Sequence, residues 1–187
     1  MNLPKLILAS GSPRRSEILG FVGWDFKKIV ADIDETELPD EKPEDYVQRL
    51  AKEKAAAVAE NREGAIVLGA DTIVVIDGEI VGKPADLEDA KAMIRKLSGR
   101  WHEVFTGVAL VKNKKASVGV QKTRVRFNEL NEEEVKFLVE KGEPLDKAGA
   151  YAVQAQAALF IERIDGDYWN VVGLPINLVY RMLNEFV

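Results

Sequence analysis

Residues 65–81 read AIVLGADTIVVIDGEIV, and this stretch decides the architecture. Two apolar runs rich in branched side chains, Ala65 to Ala70 and Ile73 to Ile76, flank Asp71-Thr72. Asp77-Gly78 and the short run Glu79-Ile80-Val81 follow. An Asp-Gly pair between such runs predicts a tight hairpin, because the favoured two-residue turn needs positive φ at both positions. A hairpin in mid-chain argues against a purely parallel, doubly wound sheet.

On either side of this stretch, helices alternate with strands. Upstream, Lys5 to Ala9 is a short apolar strand ending in small residues, and Asp25 to Val30 reads as another strand. Between them Ser12-Pro13 opens a helix, with a hydroxyl N-cap and proline at the first helical position. Gly20 and Gly23 close it. Ala31 to Lys42 is an acidic, proline-punctuated loop, and Pro43 to Glu60 is rich in good helix formers. Downstream, Asp86 to Leu97 is a helix capped by Asp86 and ended by Gly99. Trp101 to Val111 and Ala116 to Phe127 read as long antiparallel strands joined at Asn113-Lys114-Lys115. A helix over Asn131 to Lys141, a strand over Leu159 to Ile164 and a final helix over Pro175 to Phe186 complete the chain. The pattern predicts an α/β fold with a mixed, curved central sheet with flanking helices. No linker or repeat divides it, so residues 1–187 are taken as a single domain.

Composition narrows the function. The 187 residues are 47% apolar, and 26 Lys plus Arg against 31 Asp plus Glu give a formal net charge of −5. An acidic balance argues against nucleic acid and anionic membrane as partners. With no cysteine and one histidine, disulfides, zinc-cysteine sites, thiol nucleophiles and polyhistidine metal sites are excluded. The opening MNLPKLILASGSPRR places its apolar run before its arginines, the wrong order for a secretory signal, and no stretch spans a bilayer. A cytoplasmic location is the expectation.

Several stretches could carry chemistry. Ala9-Ser10-Gly11-Ser12-Pro13-Arg14-Arg15 runs from a strand through small residues into a helix N-terminus. Free amides, two hydroxyls and two guanidiniums suit a phosphate, although a plain Ser-Pro cap with two exposed arginines reads equally well. Asp71 directly follows an apolar run, where a carboxylate could hold Mg²⁺ or orient water; it could also be a turn aspartate. Lys83, between Gly82 and Pro84, is either a fixed charge aimed into a cleft or an exposed turn lysine. The acidic loop Asp32-Ile33-Asp34-Glu35 with Glu37 could complete an oxygen-ligand metal site or be a solvated face, and Lys54 is similarly open. Gln154 offers the donor and acceptor that reading a nucleobase edge requires. His102 reads as structural or as a hydrogen-bonding member of a polar strand, and Tyr168 and Trp169 as packing residues rather than stacking platforms.

Taken in order, LASGSPRRSEIL, GADTIVV, GEIVGKP, LSGRWHEVFTGVAL, EPLDKAGAYAVQ and IDGDYWNVVGLPI resemble the Maf family of nucleoside triphosphate pyrophosphatases nearly end to end. The resemblance implies an inosine triphosphate pyrophosphatase-like fold with two lobes around a cleft. It implies hydrolysis of a nucleoside triphosphate to the monophosphate and pyrophosphate with a divalent metal, Mg²⁺ or Mn²⁺, as cofactor. DKAGAYAVQ resembles the branch acting on dTTP and UTP rather than the sister branch that prefers 7-methyl-GTP. Carried over residue by residue, Asp71 is the general base or a metal ligand, and Glu35 assists metal or water. Ser10, Arg14, Lys54 and Lys83 surround the phosphates, and Arg15, Thr72 and Gln154 select the base. A homodimer is a further expectation from the family. A nucleotide-binding regulator of cell division acting through a partner is the alternative, against which the intact Asp71, Lys83 and Arg15 set argues. Gln154-Ala155-Gln156-Ala157 departs from the family's usual Gln-Gly-x-Gly, and the added methyl groups restrict the backbone there. Trp101 also replaces a small polar residue, with no functional account.

Overall fold

The computed structural model describes residues 3–186. Seven strands form one mixed sheet in the order β2-β1-β3-β5-β6-β7, with β4 paired to β3. They are β1 (Leu6–Ala9), β2 (Phe26–Lys28), β3 (Ile66–Ile76), β4 (Glu79–Val81), β5 (Trp101–Lys112), β6 (Lys115–Phe127) and β7 (Ile161–Asp165). The helices are α1 (Pro13–Phe21), α2 (Pro43–Ala59), α3 (Leu87–Leu97), α4 (Glu132–Lys141), α5 (Tyr168–Val172) and α6 (Ile176–Phe186). The mixed sheet follows the expectation: β1 is parallel to β2 and β3, whereas β4 is antiparallel to β3 and β7 to β6. Asp77 and Gly78 make the β3–β4 turn with φ of 55° and 81°, as the two-residue turn requires.

The chain divides into two compact units. The first comprises Met1–Asp71, Thr106–Gln121 and Gly173–Val187; the second comprises Thr72–Phe105 and Lys122–Val172.

In the first unit α2 lies against the sheet. Its start is set by Pro43 in the first turn, with Glu44 and Asp45 complementing the helix dipole. Ala51, Ala55 and Val58 pack with Ala9, Val67, Ala109 and Val111 in an apolar cluster of small side chains. Two glycines let the backbones approach. A Cβ on Gly69 would lie 2.1 Å from the Ala51 carbonyl oxygen, and one on Gly107 would lie 2.1 Å from that of Val47. Side chains alternate along a strand, so Val67, Gly69 and Asp71 share the face that meets α2. Lys54 stands on that helix between Ala51 and Ala55. α6 buries Val179, Met182, Leu183 and Phe186, spaced as one helical face.

In the second unit α3 buries Ala90, Ile94 and Leu97, and α4 buries Val135, Leu138 and Val139. The Asp86 side chain accepts from the Asp89 amide, and Asn131 and Glu134 form a reciprocal capping box.

The structure departs from the sequence expectation in four places. β3 is one strand of eleven residues, so Asp71 lies within it rather than after it. Its pairing changes there: β1 partners it up to Gly69 and β4 from Val74, so a single strand passes from one neighbour to another. β2 is shorter than Asp25 to Val30. Residues 144–159 hold three 3-10 turns. Tyr168–Val172 is a short helix started by Asp167, whose Oδ1 accepts from the Trp169 amide at 2.8 Å.

Candidate active site

Six of the nine expected site residues belong to the first unit, and they converge in two linked groups. In one group, Lys54 Nζ donates to Asp71 Oδ1 at 2.7 Å and pairs with Glu35 Oε1 at 2.8 Å. The Lys54 and Asp71 side chains are 12% and 11% exposed, and that of Glu35 is 50% exposed. One ammonium therefore holds two carboxylates, one from the sheet and one from the acidic loop. The close approach at Gly69 makes this possible, since it seats the Lys54 turn of α2 over the strand two residues before Asp71.

The acidic loop is braced from the same helix. Tyr46 donates its hydroxyl to the Glu35 carbonyl oxygen at 2.8 Å. Burial, and then the charges of Asp71, Glu35 and Glu37, push its phenol up to about 12, so it remains a donor. Arg49 grips both Glu41 oxygens, at 2.6 and 2.7 Å, and donates to the Thr36 carbonyl at 3.1 Å.

The other group centres on Arg15, which is buried. Its Nε donates to the Gly173 carbonyl at 2.8 Å, and one terminal nitrogen donates to Ser10 Oγ at 2.9 Å and the Ala70 carbonyl at 2.8 Å. Burial lowers this guanidinium from its ordinary value; Asp71 and Glu35 oppose that fall and Arg14 adds to it. Arg15 thus ties the end of β1 to β3 beside Asp71. Ser10 Oγ also accepts from the Ser12 amide at 3.2 Å, shaping the loop that enters α1. Arg14 is half-buried on the first turn of that helix.

Thr72, Lys83 and Gln154 belong to the second unit. Thr72 is half-buried on β3; Lys83 and Gln154 are exposed. The Gly149 amide donates to the Gly82 carbonyl at 3.0 Å, joining the backbone beside Lys83 to the segment leading to Gln154.

The profile of the family described as Maf-like protein matches residues 5–186. The chain belongs to the Maf family. A dTTP/UTP pyrophosphatase of Hahella chejuensis is 52% identical over 185 residues, covering 97% of this chain and 92% of the relative. One from Symbiobacterium thermophilum is 52% identical over 184 residues, covering 98% and 95%. Among solved structures, the Ham1 protein of Staphylococcus aureus superposes with a TM-score of 0.56 at 16% identity, over 97% of this chain and 99% of that one. The Ham1 protein of Coxiella burnetii gives 0.54 at 15% identity, over 98% and 100%. These likenesses bear out the expected inosine triphosphate pyrophosphatase-like fold.

Three residues of this Maf chain support the site without having been singled out in its sequence. Tyr46 and Arg49 brace the Glu35 loop. Lys28 Nζ donates to the Gly11 carbonyl at 2.8 Å, adding a cation beside the Ser10 loop. Lys28 arrives there through pairing across the sheet: β2 runs parallel to β1 with Leu8 opposite Lys28, so it reaches the same sheet end as the loop. None of the three gives a local sequence signal, because only the folded chain reveals what each of them holds.

Proposed function

We propose that this chain hydrolyses nucleoside triphosphates, dTTP and UTP foremost, between the α and β phosphates, releasing the monophosphate and pyrophosphate. The two relatives described above carry that activity in their names. The observation that carries the proposal is the Lys54 ammonium held between Asp71 and Glu35, in the same unit as the Ser10–Arg15 loop.

Hydrolysis at the α phosphorus requires charge compensation, an in-line water and a stabilised leaving group. The small-residue loop and the N-terminus of α1 offer amides and hydroxyls to the polyphosphate. Arg14, Lys54 and Lys83 supply positive charge. Arg15, tied to three oxygen acceptors, holds the loop against β3. Asp71 orients the water or accepts its proton, and its position is fixed from one side by Lys54. Gln154, with Thr72, reads the base edge.

The donors fit a divalent metal. Oxygens of Asp71 and Glu35 converge on one cationic atom, and hard carboxylate oxygens are what Mg²⁺ and Mn²⁺ take. Among the described residues no group of three His, Cys, Asp or Glu side chains could hold a metal. Asp71 and Glu35 would be its protein ligands, with substrate phosphate and water supplying further oxygens, as is usual for Mg²⁺. Bound there, the ion would neutralise charge on the phosphate oxygens.

The test is incubation with a panel of nucleoside triphosphates and Mg²⁺ or Mn²⁺, resolving pyrophosphate from orthophosphate. Pyrophosphate release strongest with dTTP and UTP is the expected result. Binding without turnover, or orthophosphate as the product, refutes the proposal.

A further inference from the structure

Gln154 projects from a segment that belongs to no strand or helix. Residues 151–155 lie between the 3-10 turns Ala148–Ala150 and Gln156–Leu159. Gln154 is exposed while Tyr151, Val153 and Ala157 around it are buried. Its position is therefore set by anchors rather than by a sheet ladder.

Those anchors are specific. Gly149 and Ala150 both adopt left-handed backbone, with φ of 67° and 64°. An alanine in that region is strained, and such strain persists only where the surroundings over-determine it. The Gly149 amide bonds to the Gly82 carbonyl, and the Ala150 amide to the Lys147 carbonyl, each at 3.0 Å. The next residue, Tyr151, ends on His102: its hydroxyl and His102 Nε2 lie 2.7 Å apart in the core. Tyr151 also meets Phe127 edge to face at 5.1 Å between ring centres, and His102 stacks on Phe127 at 5.7 Å.

Histidine is a costly choice for mere filling here. Nδ1 is buried without a hydrogen-bond partner, and burial pushes the imidazole down to about 4. A phenylalanine would fill similar space without an orphaned nitrogen. What histidine adds is a hydrogen bond to one hydroxyl, and that hydroxyl sits three residues before Gln154. In either tautomer the bond joins two neutral buried groups and needs both of them.

We infer that His102 is a positioning residue for base selection: by fixing Tyr151 it sets the turn that presents Gln154 to the nucleobase. The inference rests on the reading of Gln154 as the base-recognising side chain. The pair acts on discrimination between bases rather than on the phosphate chemistry.

The experiment compares Tyr151→Phe, His102→Phe, the double variant and Gln154→Ala, each assayed with UTP and GTP and each melted. Tyr151→Phe keeps the ring contacts and removes only the hydroxyl. The expected result is a fall of about tenfold in the UTP-over-GTP ratio of kcat/KM, carried by KM for UTP with kcat little changed. The double variant should match the singles, because all three lack the same bond. A purely structural role would lower the melting temperature or the active fraction equally for both substrates and leave the ratio intact. If Gln154→Ala flattens the ratio and Tyr151→Phe does not, the positioning inference alone is overturned. If Gln154→Ala itself leaves the ratio unchanged, the base-reading role and this inference fall together. Should His102→Phe not fold, Tyr151→Phe decides.

Discussion

Replacing Lys54 with methionine keeps the length of the stem and deletes the charge that holds two carboxylates. The two arms of the contact differ in burial, so their contributions can be separated. The Lys54–Asp71 arm joins side chains 12% and 11% exposed, and removing one partner of a nearly buried pair costs about 3 kcal/mol, the low end for buried ion pairs. The Glu35 arm ends on a carboxylate that is 50% exposed, and solvent screening limits it to below about 1 kcal/mol. Lys54→Met should therefore lower the melting temperature by about 6–12 °C for a chain of this size, and Glu35→Gln by no more than about 4 °C. Thermal melts followed by circular dichroism measure both. Millimolar Mn²⁺ should return part of the loss in Lys54→Met by taking the place of the ammonium, with a smaller shift in the unaltered protein. Two outcomes refute the reasoning: a Lys54→Met melt indistinguishable from that of the parent, or a Glu35→Gln melt depressed as far as that of Lys54→Met.

Asp71→Asn keeps the shape and loses the charge, and turnover of dTTP should fall at least ~10²-fold in steady-state assays while circular dichroism still reports a folded chain. Gly69→Ala drives a Cβ to 2.1 Å from the Ala51 carbonyl, backbone against backbone. It should cost about 3 kcal/mol or prevent folding, as read by urea denaturation. His102 is held near 4 by burial, below its ordinary 6.5, so the unfolded chain binds the extra proton between those values. Stability should rise with pH across that window and be lost as pH falls through it, by about 3 kcal/mol in full. Urea titrations at pH 4 to 7 should show that component in the parent and not in His102→Phe.

Much of the fold was legible because its signals are local. The Asp77-Gly78 turn, the Asp86 cap and the proline start at Pro13 each depend on a few neighbouring residues. The continuity of β3 was not legible. Asp71 and Thr72 interrupt an apolar pattern, yet the strand persists because its partner changes from β1 to β4, a fact set by pairing across the sheet. The segment over residues 144–159 escaped for a related reason: its shape depends on the Gly82 carbonyl and the Tyr151–His102 contact rather than on periodicity. The candidate site residues could be named from the sequence as types in place, but not the contacts that hold them, as Arg15 illustrates. Its hydrogen bonds to the Ala70 and Gly173 carbonyls reach partners far away in the sequence, which no local pattern reveals.

The glycine seam beneath α2 has a consequence for how such an enzyme can diversify. One helix presents Lys54 and props the loop that carries Glu35, and its main chain rests directly on two strands. The spacing between the ammonium and both acids is therefore machined into that contact, and bulkier replacements at Val47, Ala51, Ala55, Gly69 or Gly107 would disturb all of it at once. Variation that retunes substrate choice is channelled away from this row, to side chains whose replacement leaves the helix where it lies.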